Sequence, residues 1–417
     1  MSLIKIILAP SRKQRLLRLF QEAYRGIGSP GFQNRHTPVL PCGPADTKEW
    51  NYRSNVEIAD DIILNNRVKA TQDNHVARDR LKADYNYQVA TYTDASFLSN
   101  GATHVSVYDS AGYYQHEFSQ TRHIGWHAKR RKLKIDTHIQ GRTACLYGIA
   151  EQEAENYAHW MIDCLARVFL LQRFHELEQF DHFLVPRLKH DFQRQSLIAL
   201  GVPEHKLLEV SPLQCLSFDE LVCTSAPRGF HSMICPGWIV DEFRGTFLNC
   251  MQTPDLPDSG SGKTYGKRIY ISRKDAHSRR FASEGHIGSH LESLGFQSVV
   301  LSELGLKEKI ALFSNAEFIV SLSGAGLANL MFCPVGENTQ VLELMPSSQV
   351  HYLFSSISGW LGHKHEHLIF SNNSLASKFY GWYGELELSR AQLDEALAQL
   401  GASGMREQVS SRWQNAA

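Results

Sequence analysis

Four polar residues on an otherwise apolar stretch, Asn156, His159, Asp163 and Arg167, recur at spacings of 3, 4 and 4. That period puts them on one stripe of a helix. The stretch from Glu155 to Phe169 is apolar almost all round, so it reads as a buried helix whose polar groups are paired or face a cleft. A histidine four residues before an aspartate can hydrogen-bond it and take a proton near neutral pH. The same residues could equally form an internal network tying the helix to its neighbours. The pattern alone leaves both open.

A second set lies further along. Ser323-Gly324-Ala325-Gly326 follows the apolar run Phe318 to Leu322 and leads into a small-residue helix through Asn329 to Phe332. Glycine lets backbone amides approach a ligand closely, and a helix N-terminus presents unpaired N–H groups with partial positive charge. Phosphate or diphosphate suits that pairing. Arg273 follows a strand over 268–272, and Glu343 lies near the end of a strand over 340–344. In open parallel sheets ligands bind beyond the carboxyl ends of the strands. Arginine there grips phosphate, and a carboxylate can accept bonds from both ribose hydroxyls. A plainer alternative makes Arg273 and Glu343 an ion pair and the glycines a tight turn, since one glycine-rich turn is weak evidence. Three anchors on one edge favour a nucleotide diphosphate. The Gly-x-Gly-x-x-Gly fingerprint is incomplete, with Asn329 at its third position, and this counts against a nicotinamide enzyme.

These residues need elements to hold them. From Gly141 onward helices alternate with short apolar strands, including a long helix over about 154–174, a strand over 182–186 and a helix over 191–200. After a Pro/Gly/Ser-rich linker over 253–266 the alternation becomes regular: strands over 268–272, 296–301, 318–322 and 340–344, helices over 284–294, 303–314 and 327–332. That order predicts a parallel sheet with crossover helices, a Rossmann-like unit. Residues 1–86 read as helix and loop, and alternating segments between 88 and 118 predict a small β-rich element. An amphipathic helix over 390–400 precedes a polar tail. The predicted organisation is therefore a helical or loop region over 1–86, an α/β domain over 87–252, the linker 253–266, a Rossmann-like domain over 267–370, and a helix with tail over 371–417.

The 417 residues allow two or three cored domains, and 43% apolar with 21% charged residues is ordinary globular composition. Basic and acidic residues number 43 each, so no global charge points to nucleic acid. No secretory signal opens the chain and no apolar run suffices to cross a bilayer, although Ser11 to Phe20 is basic enough to rest on an anionic membrane surface. The eight cysteines form no Cys-x-x-Cys pair and no His/Cys ligand cluster. Reduced thiols in a cytoplasmic protein without structural zinc are the simplest reading.

Taken together, the motifs resemble the family 61 glycosyltransferases. Asn156-Tyr-Ala-His-Trp-Met-Ile-Asp-Cys-Leu-Ala-Arg167 is similar to that family's Asn-Tyr-x-His-Trp-x-x-(Asp/Glu)-x-x-x-Arg helix. Arg268-Ile-Tyr-Ile-Ser-Arg273 resembles its strand ending in Ile-Ser-Arg, Gly324 to Phe332 its glycine turn, and Val341-Leu-Glu-Leu344 its closing strand. The resemblance covers about residues 87–370. It departs in two places: Ser323 stands where the family commonly has histidine, and Arg280-Phe-Ala-Ser-Glu284 has serine in place of an asparagine.

The resemblance implies a GT-B-like α/β fold, two Rossmann-like domains facing a cleft. It implies an inverting glycosyltransferase that needs no metal or other cofactor and moves a sugar from a nucleotide-sugar donor to a hydroxyl. The acceptor would be an oligosaccharide or lipid-linked glycan of a bacterial capsule or lipopolysaccharide, handled in the cytoplasm or at the inner membrane face. Asp163 or His159 would be the base, with Asp163 preferred because the family admits Asp or Glu there. Arg273, Ser323, Gly324, Ala325, Gly326 and Asn329 would hold the diphosphate and Glu343 the ribose. Asn156, Arg167, Arg268, Arg280 and Glu284 would support them. No Asp-x-Asp motif ends a strand; Asp60-Asp61 is the nearest acidic pair. A nucleotide-sugar epimerase and a non-catalytic glycan- or nucleotide-binding protein are the competing readings.

Overall fold

In the computed structural model, residues 44–53, 84–101, 104–121, 133–149, 151–229, 234–250, 265–276, 281–282, 284–346, 350–370 and 386–400 are described. The predicted linker 253–266, Arg280, the basic segment Ser11–Phe20 and the tail lie wholly or largely outside them.

Among these residues the strands form two separate sheets. The first holds β1 (Asp46–Arg53), β2 (Asp84–Thr93), β3 (Ser96–Ser99), β4 (His104–Tyr108), β5 (Gln120–Thr121), β6 (Thr137–Cys145), β7 (His182–Pro186), β8 (Leu207–Val210) and β9 (Cys215–Thr224). It is mixed. β9, β6, β7 and β8 run parallel in that order, whereas β2 and β3 pair antiparallel with β9. The predicted β-rich start of the 87–252 domain is the antiparallel part of this same sheet. Residues 46–53, read as helix or loop, are instead a strand paired along its length with β2. Alternating residues explain why: Trp50 stacks on Tyr87 and meets Trp238 edge-on, giving β1 a reason to stay down.

The second sheet holds β10 (Arg268–Ile271), β11 (Gln297–Val299), β12 (Phe318–Leu322), β13 (Gln340–Pro346) and β14 (Lys364–Phe370), all parallel in the order β11-β10-β12-β13-β14. Period-two alternation divides its side chains. Ile269, Ile271, Ile319 and Val341 face a core shared with helices Leu306–Ser314 and Leu353–Leu361. Tyr270, Val320, Leu322, Leu342 and Leu344 face a second core under helices Glu284–Ser293 and Arg390–Gln399. Both faces are covered, as a parallel sheet requires.

The shared core is continuous with the first sheet. Val89, Ala144, Phe183 and Val222 pack on the helical stretch 157–172, and the same cluster runs on through helix Gly237–Cys250 to Leu330 and Ile357. Polar ties reinforce the contact: Arg244 donates to the Met331 and Cys333 carbonyls, and Trp360 Nε1 donates to Asp241 at 2.8 Å. No helix among the described residues is long and apolar enough to cross a membrane.

Candidate active site

The polar stripe begins with a cap. The Asn156 side chain accepts from the amides of Ala158 and His159, satisfying groups that a helix start leaves unpaired. The helix then widens over Trp160–Leu165 into a π-turn, with the Ala166 amide reaching back to the Met161 carbonyl. Such turns are uncommon and concentrate at functional sites. Here the widened turn carries Asp163 and ends beside Arg167.

Just before that turn, His159 Nδ1 lies 2.7 Å from Asp163 Oδ2. Arg228 completes the group, with Nε on Oδ1 and Nη2 on Oδ2, both at 2.7 Å. The carboxylate is therefore gripped as a fork by the guanidinium and also paired with the imidazole. Burial pushes the Asp163 carboxyl up, but Arg228 and then His159 outweigh it and hold it well below the usual carboxylate range. Asp163 is a stable buried anion. The His159 side chain is 36% exposed against 9% for Asp163. With Nδ1 facing the carboxylate, Nε2 is the imidazole atom left to face outward.

Arg228 was missed in the sequence. It follows β9 in the turn Ala226-Pro-Arg-Gly229, and the strand-end argument used for Arg273 applies equally to it. Arg167, by contrast, does not face the site. Its guanidinium donates to the Asp163 carbonyl, the Thr224 carbonyl and hydroxyl, and the carbonyls of Ser225 and Gly148. A Cβ at Gly148 would sit about 2.0 Å from it, so glycine there makes room for this bolt between helix and sheet.

On the second sheet, the structure brings Arg273 and the glycine turn together. A Cβ on Gly324 would lie 2.3 Å from an Arg273 Nη, so the guanidinium rests on the backbone of the turn. Glu284 fixes the approach: its Oε1 accepts from Tyr270 Oη, Ser272 Oγ and the Arg273 amide. The helix after the turn starts at Ala325, earlier than predicted, and is a 3₁₀ helix rather than an α-helix. Its first amides still lack intrahelical acceptors. The Ser323 hydroxyl meets His351 Nε2 at 3.0 Å.

Several predicted contacts fall elsewhere. Asn329 is fully buried; it accepts from Tyr157 Oη at 2.7 Å and donates to the Gly326 carbonyl, so its amide faces protein and not a phosphate. At Gly326 a Cβ would meet the tip of Leu301 at 2.6 Å, so a larger residue there would push that side chain aside. Arg268 opens β10, at the edge opposite the carboxyl ends. Glu343 is also not at a strand end, since β13 continues to Pro346. It is wholly buried, with Oε2 at 3.0 Å from His365 Nε2 and 3.3 Å from His367 Nε2. A ribose would not reach it without rearrangement.

The Tyr157–Asn329 bond joins the two sets. Tyr157 stands two residues before His159, and Asn329 three after Gly326, so the dyad helix is fastened to the helix that leaves the glycine turn. Residues 157–342 match the family model for glycosyltransferase 61. The resemblance read from the sequence is borne out over that segment, which carries His159, Asp163, Arg228, Arg273 and the 323–326 turn. This family implies a glycosyltransferase, acting with a sugar donor and a glycan acceptor. No curated protein matches the chain.

Proposed function

We propose that this protein is an inverting glycosyltransferase of GT-B-like, two-lobed architecture. In this reading it takes a sugar from a nucleoside-diphosphate donor and places it on a hydroxyl of a growing bacterial surface polysaccharide, at the cytoplasmic side of the membrane. The observation that carries the reading is the Tyr157–Asn329 bond, which sets an Asp–His dyad against the turn where Arg273 and helix-start amides converge.

The base is His159 rather than Asp163. Both Asp163 oxygens are engaged, so proton transfer to them would break a buried ion pair. Asp163 instead receives Nδ1–H, fixing the tautomer with the Nε2 lone pair outward and stabilising the imidazolium that forms. His159 Nε2 takes the acceptor O–H proton as that oxygen attacks the anomeric carbon. The anomeric C–O bond to the diphosphate breaks on the opposite face, inverting the configuration. Arg273 and the amides at Ala325 and Gly326 receive the developing charge on the diphosphate, a role that needs no metal.

The test has two stages. A thermal-shift screen with UDP, GDP, CMP and dTDP identifies the nucleotide, because a ligand that binds only the native state raises its stability. Transfer from the matching nucleotide sugar is then followed in wild type and His159→Ala, with anomeric configuration read by NMR. Loss of transfer with nucleotide affinity intact supports the assignment. Full transfer by His159→Ala removes the base, and sugar interconversion without an acceptor indicates an epimerase.

A further inference from the structure

β14 opens Lys364-His365-Glu366-His367, so His365 and His367 project from one face of the strand. Glu343 of β13 is the register partner of His367 and points to the same face. One ligand atom from each of Glu343, His365 and His367 falls within 4.8 Å of the others. We propose that these three residues form a binding site for a zinc-class divalent transition metal, buried between the second sheet and helix Leu353–Leu361.

Three observations carry this. The Glu343 Oε2 separations of 3.0 and 3.3 Å approach the edge of a tetrahedron with metal–ligand bonds of roughly 2.0–2.1 Å, which is about 3.3 Å. His365 Nδ1 is hydrogen-bonded to Ser358 Oγ at 2.8 Å, the outer contact that orients an imidazole and leaves Nε2 for a metal. Among the described residues, Glu343 Oε1 is buried with no hydrogen-bond partner, and no lysine or arginine pairs with this carboxylate. A divalent cation held on Oε2 would supply the missing charge to this carboxylate. Two imidazoles and one carboxylate suit zinc, whose sites favour nitrogen and carboxylate donors over the all-oxygen shell of magnesium. The inference stands apart from the proposed transfer chemistry, which uses other residues.

The test is made on the full chain. Protein stripped with a chelator is titrated with Co²⁺, whose visible absorption reports nitrogen-rich, low-coordinate binding, and Zn²⁺ is then added as competitor. Expected are one equivalent of Co²⁺ per chain, bands displaced by Zn²⁺, and loss of those bands in Glu343→Gln and His365→Ala. Ser358→Ala, a milder change, should weaken affinity about 10–100-fold. If wild type yields no bands with excess Co²⁺ and no bound metal by elemental analysis, the site does not exist. Bands that persist in Glu343→Gln or His365→Ala place the ion elsewhere and overturn the proposal equally. Wild-type measurements decide the matter even if a variant fails to fold.

Discussion

Asp163 and Glu343 are both buried carboxylates that touch imidazole, yet their surroundings differ. Asp163 is forked by Arg228, so its charge is matched by a group that never deprotonates. Its histidine keeps an exposed edge. Among the described residues no guanidinium reaches Glu343, and its two histidines are 5% and 3% exposed. A carboxylate neutralised by arginine frees its histidine for proton chemistry with an outside molecule. A carboxylate left with imidazoles alone must draw its compensation from them or from an added cation. The first arrangement is open to an outside molecule, the second closed to one.

Removing the histidines tests that contrast most strongly. His159→Ala should lower transfer by about 10²–10⁴-fold, the usual contribution of a general base, while the melting temperature barely moves because the ring is partly solvated. His365→Ala should do the reverse and lower stability in a metal-replete buffer. Similar melting losses in both variants would erase the distinction between an open and a closed pair.

Arginine is the next point of attack. Arg228→Met leaves Asp163 buried without its cation and should destabilise the fold by about 3–5 kcal/mol. The pH dependence follows from signs. In wild type Asp163 titrates below its unfolded value, so its pairing stabilises the fold above about pH 4 and is lost as pH falls through the folded pKa. Without Arg228 burial dominates and raises that pKa, so part of the acid-side loss should disappear. Melting curves from pH 3 to 7 check this, and unchanged slopes would mean Arg228 does not set the Asp163 charge.

The parts that were legible in sequence are those with a local period. The parallel second sheet follows from strand–helix alternation, and Arg273 with its glycine turn from the strand-end rule. His159 and Asp163 were found because four residues is one helical turn. What failed to show was long-range or depended on a boundary. Arg228 reaches Asp163 across 65 residues. Glu343 was misplaced because β13 runs two residues further than its apolar core suggests. β14 was not read as a strand, so its His365/His367 pair went unseen, and its carboxylate comes from a neighbouring strand that only register brings beside them. Arg167 and Asn329 looked functional because polar groups on buried helices always do. Their partners, backbone carbonyls and Tyr157, carry no sequence signature.

The donor side offers a smaller, separable effect. Arg273→Ala should weaken nucleoside-diphosphate binding by about 1.5–3 kcal/mol, the range for a charged hydrogen bond, as measured by calorimetry. Glu343→Gln should leave that affinity within about twofold, since Glu343 faces protein and not the strand edge. Equal losses in both would return Glu343 to the nucleotide site and undo the contrast with Asp163.

The smallest effect concerns the bond between the two sets of residues. Tyr157→Phe keeps the ring, its edge-on contact with Phe192 and the nearby Lys309 ammonium, but removes the hydroxyl that Asn329 Oδ1 accepts from. Asn329 is fully buried, so its carbonyl is left unsatisfied at a cost of about 1–3 kcal/mol. Asn329 Nδ2 still holds the Gly326 carbonyl, so the glycine turn should keep its shape and diphosphate affinity should stay near wild type. The dyad helix, however, loses a fastening two residues before His159. Transfer should therefore fall more than donor binding does, seen as a lower kcat at unchanged donor KM. If instead donor affinity drops in step with stability while kcat holds, the bond shapes the turn and not the approach of the base.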